Sequence, residues 1–506
     1  MIFKNIDTIS NKADKSYLLE LTSVYCKCVK ELALKYSFNV ETECHISLSD
    51  NVINELKDMG LISQSNQLPY LKRLLGDQYA DFINCIATYL INRTYFKGIL
   101  DKFNNKKRKQ LQRKERTSGK PTLVDFFAGA GGLSLGFSQA GYRVCFANDF
   151  QDVCVNTYRF NHPEVPSDKV LCEDIRKIVD NINDYVSEDV DIVIGGPPCQ
   201  GFSSANQQRI IDDPRNELYK YYIKAVKKIV PKFVLMENVR GMLSVAEQVV
   251  EDFHNISAEK NGVEYHYDIK YELLNSVDFG VAQSRERLIY IAIRNDVMVD
   301  KDVKPSDIFN AIKESCRGNV PVNLSEALAF IKPLDAPRIK NINEIDDEKT
   351  GKMVSANDYT GSDNSYLKSI NKGRSIPLIF NHKARYVNDI NYDIYRLLNP
   401  GEDASDEKIS DIMPYKNRLY CFKDKYYKLI PDRPSRTITA HLKMDCHSHI
   451  HPFQVRAITP REAARCQSFP DDYLFLGAYL KTYMEIGNAV PVLMANRIAT
   501  IIKRYL

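Results

Sequence analysis

The chain has 506 residues, 44% of them hydrophobic and 26% charged, with 69 Lys and Arg against 65 Asp and Glu. That is apolar material for about three ordinary domains and excludes a disordered or fibrous chain, while a net charge of +4 makes no general polycation. With no run of 18 apolar residues, no apolar leader, and 12 cysteines scattered without repeated CxxC pairs, the expectation is a cytoplasmic protein with reduced thiols.

Residues 1–100 read as a helical accessory domain. Tyr17, Leu18, Leu21, Val24, Tyr25, Cys28, Val29 and Leu32 recur at helical spacing. A second short helix starts near Ser49 or Asp50 and stops at Gly60. Two such helices could be a DNA reader, but a packing domain is the plainer reading. Residues 101–120 carry nine Lys or Arg against two acids and almost nothing apolar, which reads as an exposed basic linker.

From residue 121 to 300 apolar strands, glycine-rich turns and helices alternate, the pattern of an α/β domain with a mostly parallel sheet covered on both faces. Residues 301–430 lose the rhythm and read as a smaller, irregular domain. Regularity returns over 431–506, which closes with an apolar helix over 490–502 and is expected to rejoin the α/β domain.

Candidate site residues stand where strands end. The strand 123–127 runs into Gly129, Gly131 and Gly132, with Gly136 beyond, and Ser134 stands where a dinucleotide fingerprint wants its third glycine. A nicotinamide cofactor is therefore disfavoured. Asp149 ends the second strand about 20 residues on, where a ribose diol would want a carboxylate, and Phe150 beside it could stack on a purine. Asp174 follows the next element. The strand 191–194 enters Gly195-Gly196-Pro197-Pro198-Cys199, which places a cysteine at the ligand-binding edge as a nucleophile. A fourth strand brings Glu237 to the same edge, and Gln283-Ser284-Arg285-Glu286-Arg287 adds two guanidinium groups. His441, Asp445, Cys446, His447, His449 and His451 suggest metal ligands, with three histidines sharing one face if the segment is a strand. No second ligand group at finger spacing follows, so no metal is expected.

The blocks Phe127-Ala128-Gly129, Pro197-Pro198-Cys199-Gln200, Glu237-Asn238-Val239, 283–287, 433–438 and 487–491 resemble, in that order, the motif series of the cytosine-5 DNA methyltransferases. The resemblance covers roughly 121–300 and 380–506. It implies a Rossmann-like S-adenosyl-L-methionine-dependent methyltransferase domain, a target-recognition domain over 301–430 and a helical N-terminal extension. Phe127, Gly129, Gly131, Asp149, Phe150, Asp174, Pro198 and Asn488 would hold S-adenosyl-L-methionine: Asp149 at the ribose, Phe150 against the adenine and Asp174 at its amino group. The family often has Glu where Asp149 stands, so that contact would be shorter or water-bridged. Cys199 would be the nucleophile, Glu237 would serve ring nitrogen 3, and Arg287 with Arg285 near it would hold the base carbonyl. The substrate would be a cytosine flipped out of double-stranded DNA by a monomeric enzyme, with the loop 201–216 closing over it. A restriction endonuclease acting separately is the partner such an enzyme can have. Methylation of a transfer-RNA cytosine, performed by a related branch, is the alternative within this fold.

Overall fold

The computed structural model describes residues 2–38, 49–96, 98–198, 218–340, 345–361, 364–414 and 425–506. The apolar runs read as strands near 123, 146, 191 and 233 are β1 (Thr122–Phe126), β2 (Arg143–Asp149), β4 (Ile192–Gly195) and β5 (Phe233–Val239), and a short β3 (Val170–Cys172) that the sequence did not announce joins them. Two further pieces escape the alternation in the sequence, a hairpin of β6 (Ala258–Lys260) and β7 (Val263–Tyr265) and the long β8 (Tyr267–Asn275), which precedes β9 (Glu286–Arg294). The sheet order is β3-β2-β1-β4-β5-β9-β8. Pairing is parallel from β3 through β5, and β9 runs antiparallel to both β5 and β8. The strand order reverses between β1 and β4, so a crevice opens at their carboxyl ends, where doubly wound sheets bind ligands.

Successive residues of the central strands feed opposite faces. Leu123, Ile192, Ile194, Phe233, Leu235, Ile289 and Ile291 pack on one side with the helices Pro305–Cys316 and Val492–Ile502. Val124, Phe126, Val193, Val234, Met236, Leu288 and Tyr290 pack on the other with the helices Leu218–Ile229 and Ala246–His254. The expected boundary at residue 300 is thus too early: Val303, Ile308, Phe309 and Ile312 belong to the sheet's own core. The C-terminal helix returns as expected.

The smaller lobe packs Leu324, Ala327, Tyr366, Leu367, Leu429, Ile438, Ala463, Phe469 and Phe475 into a core that Ala130, Leu135 and Ala282 of the catalytic domain also enter, and carries the antiparallel pair β10 (Gly351–Ser355) and β11 (Ile379–Lys383). Its core therefore runs past residue 430, into segments the sequence assigned to the returning catalytic domain.

The N-terminal region is helical, with Lys12–Lys35, Asp50–Met59, Leu68–Leu75 and Gln78–Ile91, and Gly60 ends the second at φ 84°. Its core continues into Val354, Phe380, Leu474 and Leu476 of the smaller lobe. Glu31 accepts from the Ala356 amide and pairs with Lys352. The expected basic linker is a correction. Residues Asn105–Arg116 form a helix, capped by the Asn104 side chain, in which Asn105 and Arg108 are buried. Asn105 reaches the carbonyls of Phe3 and Met59, and Arg108 reaches that of Arg159, so this helix fastens the N-terminal domain to the catalytic one.

Candidate active site

The turn after β1 departs from ordinary backbone at three places. Phe127 has φ 56°, Gly129 φ 54° and Gly131 φ 89°. A left-handed phenylalanine is uncommon and collects at functional turns. At Gly131 a Cβ would meet His162 Nε2, Tyr158 and Tyr473 Oη at 2.8–2.9 Å, so only glycine fits. At Gly129 a Cβ would meet nothing within 4 Å: the loop leaves open space in front of its backbone. Behind the turn lies a buried polar chain. Tyr158 Oη donates to Ser134 Oγ at 2.7 Å, and Ser134 Oγ donates to Asp125 Oδ2 at 2.6 Å. Ser134, in the third-glycine position, thus anchors the turn to β1. Burial pushes Asp125 up to about 8.

That shift makes a prediction. Asp125 is protonated in the folded chain and ionised in the unfolded one above about pH 4, so folding takes up a proton and stability falls as pH rises from about 4 to about 8. Asp125→Asn carries no such proton, so its melting temperature relative to the wild type should rise by several degrees between pH 5 and pH 9. A constant difference across that range would refute the protonated state.

Beside the turn, Asp149 closes β2. Its Oδ2 accepts from the Gly129 amide at 2.9 Å and its Oδ1 from the Gln151 amide at 2.8 Å, leaving further lone pairs toward the crevice. Burial raises its pKa, and the two amides oppose that shift. Phe150 follows with 65% of its surface exposed, an unpacked aromatic ring at the edge of the crevice. Asp174 caps the helix Ile175–Ile178 through the Arg176 amide and is clamped by the Arg176 guanidinium, which lowers its pKa. Asn488 is exposed at the end of the helix Tyr479–Asn488. The residues after it pack on the glycine turn, for a Cβ on Gly132 would meet Val490 O at 2.8 Å and Ala489 Cβ at 3.1 Å.

The second half of the site gathers at β4, β5 and β9. Glu237 is buried, and its Oε2 would lie 2.9 Å from a Cβ on Gly196, so the carboxylate rests against the Gly196-Pro197-Pro198 turn. Asn238 Nδ2 donates to Pro197 O at 2.8 Å and holds the same turn. Arg287 stands opposite Val239 in the β5–β9 pairing, diagonal to Glu237 on the same face, and its Nε is 2.6 Å from Glu237 Oε1. Burial pulls Arg287 below its ordinary pKa and Glu237 opposes that shift. Cys199 and the loop 201–216 lie outside the described residues.

Arg285 is a correction. Expected beside Arg287 at a base, it is 1% exposed and donates instead to two backbone carbonyls, Ile438 O at 2.6 Å and Gly487 O at 2.8 Å. Gln283 does similar work: its Oε1 accepts from the Ile438 amide at 2.6 Å and its Nε2 donates to Gln467 Oε1 at 2.9 Å. The block 283–287 thus ties 433–438 and 487–491 to the sheet. Arg285→Met should leave both carbonyls buried without a donor, lowering stability by about 2–5 kcal/mol and the melting temperature by roughly 2–6 °C. A melting point unchanged within about 1 °C would refute this tie.

The histidine cluster is resolved by its partners. Residues 447–449 form a turn and Ile450 makes only isolated bridges, to Lys428 and Ala457, so the segment is not a strand. His447 meets Tyr395 Oη at 2.7 Å, His449 meets Ser448 Oγ at 2.9 Å, and His451 Nδ1 accepts from the amides of Phe453 and Gln454. Burial lowers the pKa of all three, so they pack as neutral rings. Among the described residues no helix is long and apolar enough to cross a membrane.

A doubly wound sheet with a glycine turn at β1, an acid at the end of β2 and a Glu–Arg pair across β5 and β9 defines a Rossmann-like methyltransferase. The profile of the C-5 cytosine-specific DNA methylases matches residues 122–504, and the chain belongs to that family. It is 32% identical to the type II methyltransferase M.DdeI of Desulfomicrobium norvegicum over 76% of this chain and 88% of that one. It is 30% identical to M.AgeI of Thalassovita gelatinovora over 75% and 98%. Among solved structures, a candidate DNA modification methyltransferase encoded within an E. coli prophage shares the fold, with a TM-score of 0.58 and 23% identity over 76% of this chain and 99% of that one. Residues 1–121 lie outside the family match.

Proposed function

We propose that this DNA methylase acts on carbon 5 of a flipped cytosine within a specific duplex sequence, with S-adenosylmethionine as methyl donor, as the modifying half of a restriction-modification system. The observation that carries the reading is the buried Glu237–Arg287 pair seated against the Gly196-Pro197-Pro198 turn that leads directly to Cys199. The open space before Gly129, the exposed Phe150 ring and the Asp149 carboxylate suit a nucleoside bearing a ribose diol. Phe127, Gly129, Gly131, Pro198 and Asn488 complete that enclosure, and Asp174 faces the far end of the base. When bound, S-adenosylmethionine supplies an electrophilic methyl group.

Carbon 5 of cytosine is too weak a nucleophile to take that group unaided. The Cys199 thiolate adds to carbon 6, forming a carbon–sulfur bond and pushing the ring electrons toward carbon 5. Glu237 meets the charge that builds on the ring by a proton or hydrogen bond at nitrogen 3. Arg287, fixed by Glu237, presents its remaining N–H groups to the carbonyl oxygen of the base. Once carbon 5 is methylated, its hydrogen leaves as a proton and the electrons expel the thiolate. The smaller lobe, including 317–430, reads the flanking bases from loops.

Unmodified duplex DNA and S-adenosylmethionine labelled in its methyl group test the reading. Label should enter cytosine at one sequence, calorimetry should show S-adenosylmethionine binding but no NADH binding, and Asp149→Ala should weaken that binding at least tenfold. Label entering transfer RNA but not DNA, or NADH binding of equal strength, would overturn it.

A further inference from the structure

The basic run at 101–120 has no part in the reaction, yet its folded form is ordered and one-sided. In the helix Asn105–Arg116, positions 105, 108, 112 and 115 lie three or four residues apart on the inward face. Gln112 Nε2 donates to Pro163 O at 3.0 Å, and Arg108 Nη2 to Arg159 O at 2.6 Å. The one acid, Glu115, is on that face and is held by Lys120 at 2.7 Å. The outward half carries Lys106, Lys107, Lys109, Arg113, Lys114 and Arg116, all exposed. Lys106 pairs with Asp58, and among the described residues the other five make no ion pair.

Charges so placed repel at three- and four-residue spacing, as between Lys109 and Arg113 or Arg113 and Arg116, at a few tenths of a kcal/mol per pair. The helix dipole favours the cations of the last turn but opposes Lys107 near the first. A surface shaped for stability alone would mix signs, as the rest of this chain does with 69 basic and 65 acidic residues. A polyanion lying on the helix removes the repulsion.

The position of the helix decides which polyanion segment it can meet. Its anchors, Arg159 in the last turn of the helix Asp152–Asn161 and Pro163 just beyond it, lie where that helix, starting at the carboxyl end of β2, has run back to the amino edge of the sheet. From Arg116 the chain passes almost directly into Thr122, the amino end of β1. The patch is therefore on the opposite edge from Asp149, Gly196 and Glu237, about 17 Å away by strand length alone. A duplex whose target base enters the crevice lies at the other end of the sheet.

We propose that Lys107, Lys109, Arg113, Lys114 and Arg116 form a second, sequence-independent DNA contact on the back of the catalytic domain, which holds the phosphates of another segment of the DNA being searched. The inference rests on DNA as the substrate. A helix of 12 residues is about 18 Å long, enough to face two or three phosphates of one strand.

The test uses the full chain with all five residues changed to glutamine, a good helix former. Binding to a long duplex lacking the target is followed by anisotropy between 50 and 200 mM salt. The slope of log K against log salt should fall in magnitude by about 2, since each neutralised phosphate contributes about 0.9. Methylation of a 20-base-pair duplex containing the target should stay within twofold of wild type. An unchanged slope in a variant of unchanged circular dichroism overturns the proposal. So does a parallel loss of short-duplex methylation, which would place the helix in the cleft, or a loss confined to binding of phosphatidylserine vesicles, which would assign the patch to a membrane. If the wild type methylates no short duplex, the functional reading fails while the salt slopes still judge the patch.

Discussion

A duplex carrying 5-fluorocytosine at the target should stall as a denaturant-resistant adduct joined through Cys199, formed only when S-adenosylmethionine is present. After methyl transfer, carbon 5 bears the new methyl and its original substituent, which must leave as a cation before the thiolate is expelled. Hydrogen leaves as a proton, and fluorine does not. Cys199→Ser should form no adduct and lose at least about 10³-fold in turnover, since a neutral hydroxyl with a much higher pKa replaces the thiolate. It should still bind DNA, because phosphate and groove contacts do not pass through the thiol. Peptide mapping decides the matter. Buried Cys145 and Cys154, whose thiols burial pushes above the ordinary range, are the contrasting cases, and attachment at either would show that the nucleophile is misassigned.

The sheet was legible because β1, β2, β4 and β5 are mainly apolar runs with glycines or acids at or beside their carboxyl ends, and a strand buried on both faces leaves that trace, whereas the three residues of β3 are too few to show it. β8, an edge strand, was passed over because it is not a continuous apolar run, although Tyr267, Ile269, Tyr271 and Leu273 alternate with Asp268, Lys270 and Glu272 as a half-exposed strand should. The basic helix was misread as a linker because its burial is polar: Asn105 and Arg108 reach backbone carbonyls, which no hydrophobic pattern announces. At the site, Glu237 and Arg287 are brought together as the motif order implied. Arg285 differs because it precedes β9, which begins at Glu286, so the two-residue strand repeat that would set it on the face of Arg287 does not extend to it. Arg287 faces the crevice, and Arg285 enters the protein and binds the carbonyls of Ile438 and Gly487. Asn238, which holds Pro197, stands in its motif with no role read for it, although a polar residue beside a strand-end carboxylate is a usable signal.

Glu237→Gln should lower the single-turnover rate by about 10²–10⁴-fold while duplex affinity changes less than about fivefold. Glutamine keeps the shape that rests against Gly196 and can still offer a hydrogen bond, but it cannot pass a proton to ring nitrogen 3. The substitution also leaves Arg287 buried without its carboxylate, so part of the loss would come from a displaced guanidinium rather than from the missing proton. Arg287→Gln separates the two effects. If the pair acts as a unit, the double variant should be little worse than Glu237→Gln alone, far from the product of the two single losses. Losses that multiply would mean the two side chains serve independent steps. A Glu237→Gln enzyme within tenfold of wild type would remove Glu237 from the proton role, leaving it as the anchor of Arg287 against the turn that bears Cys199.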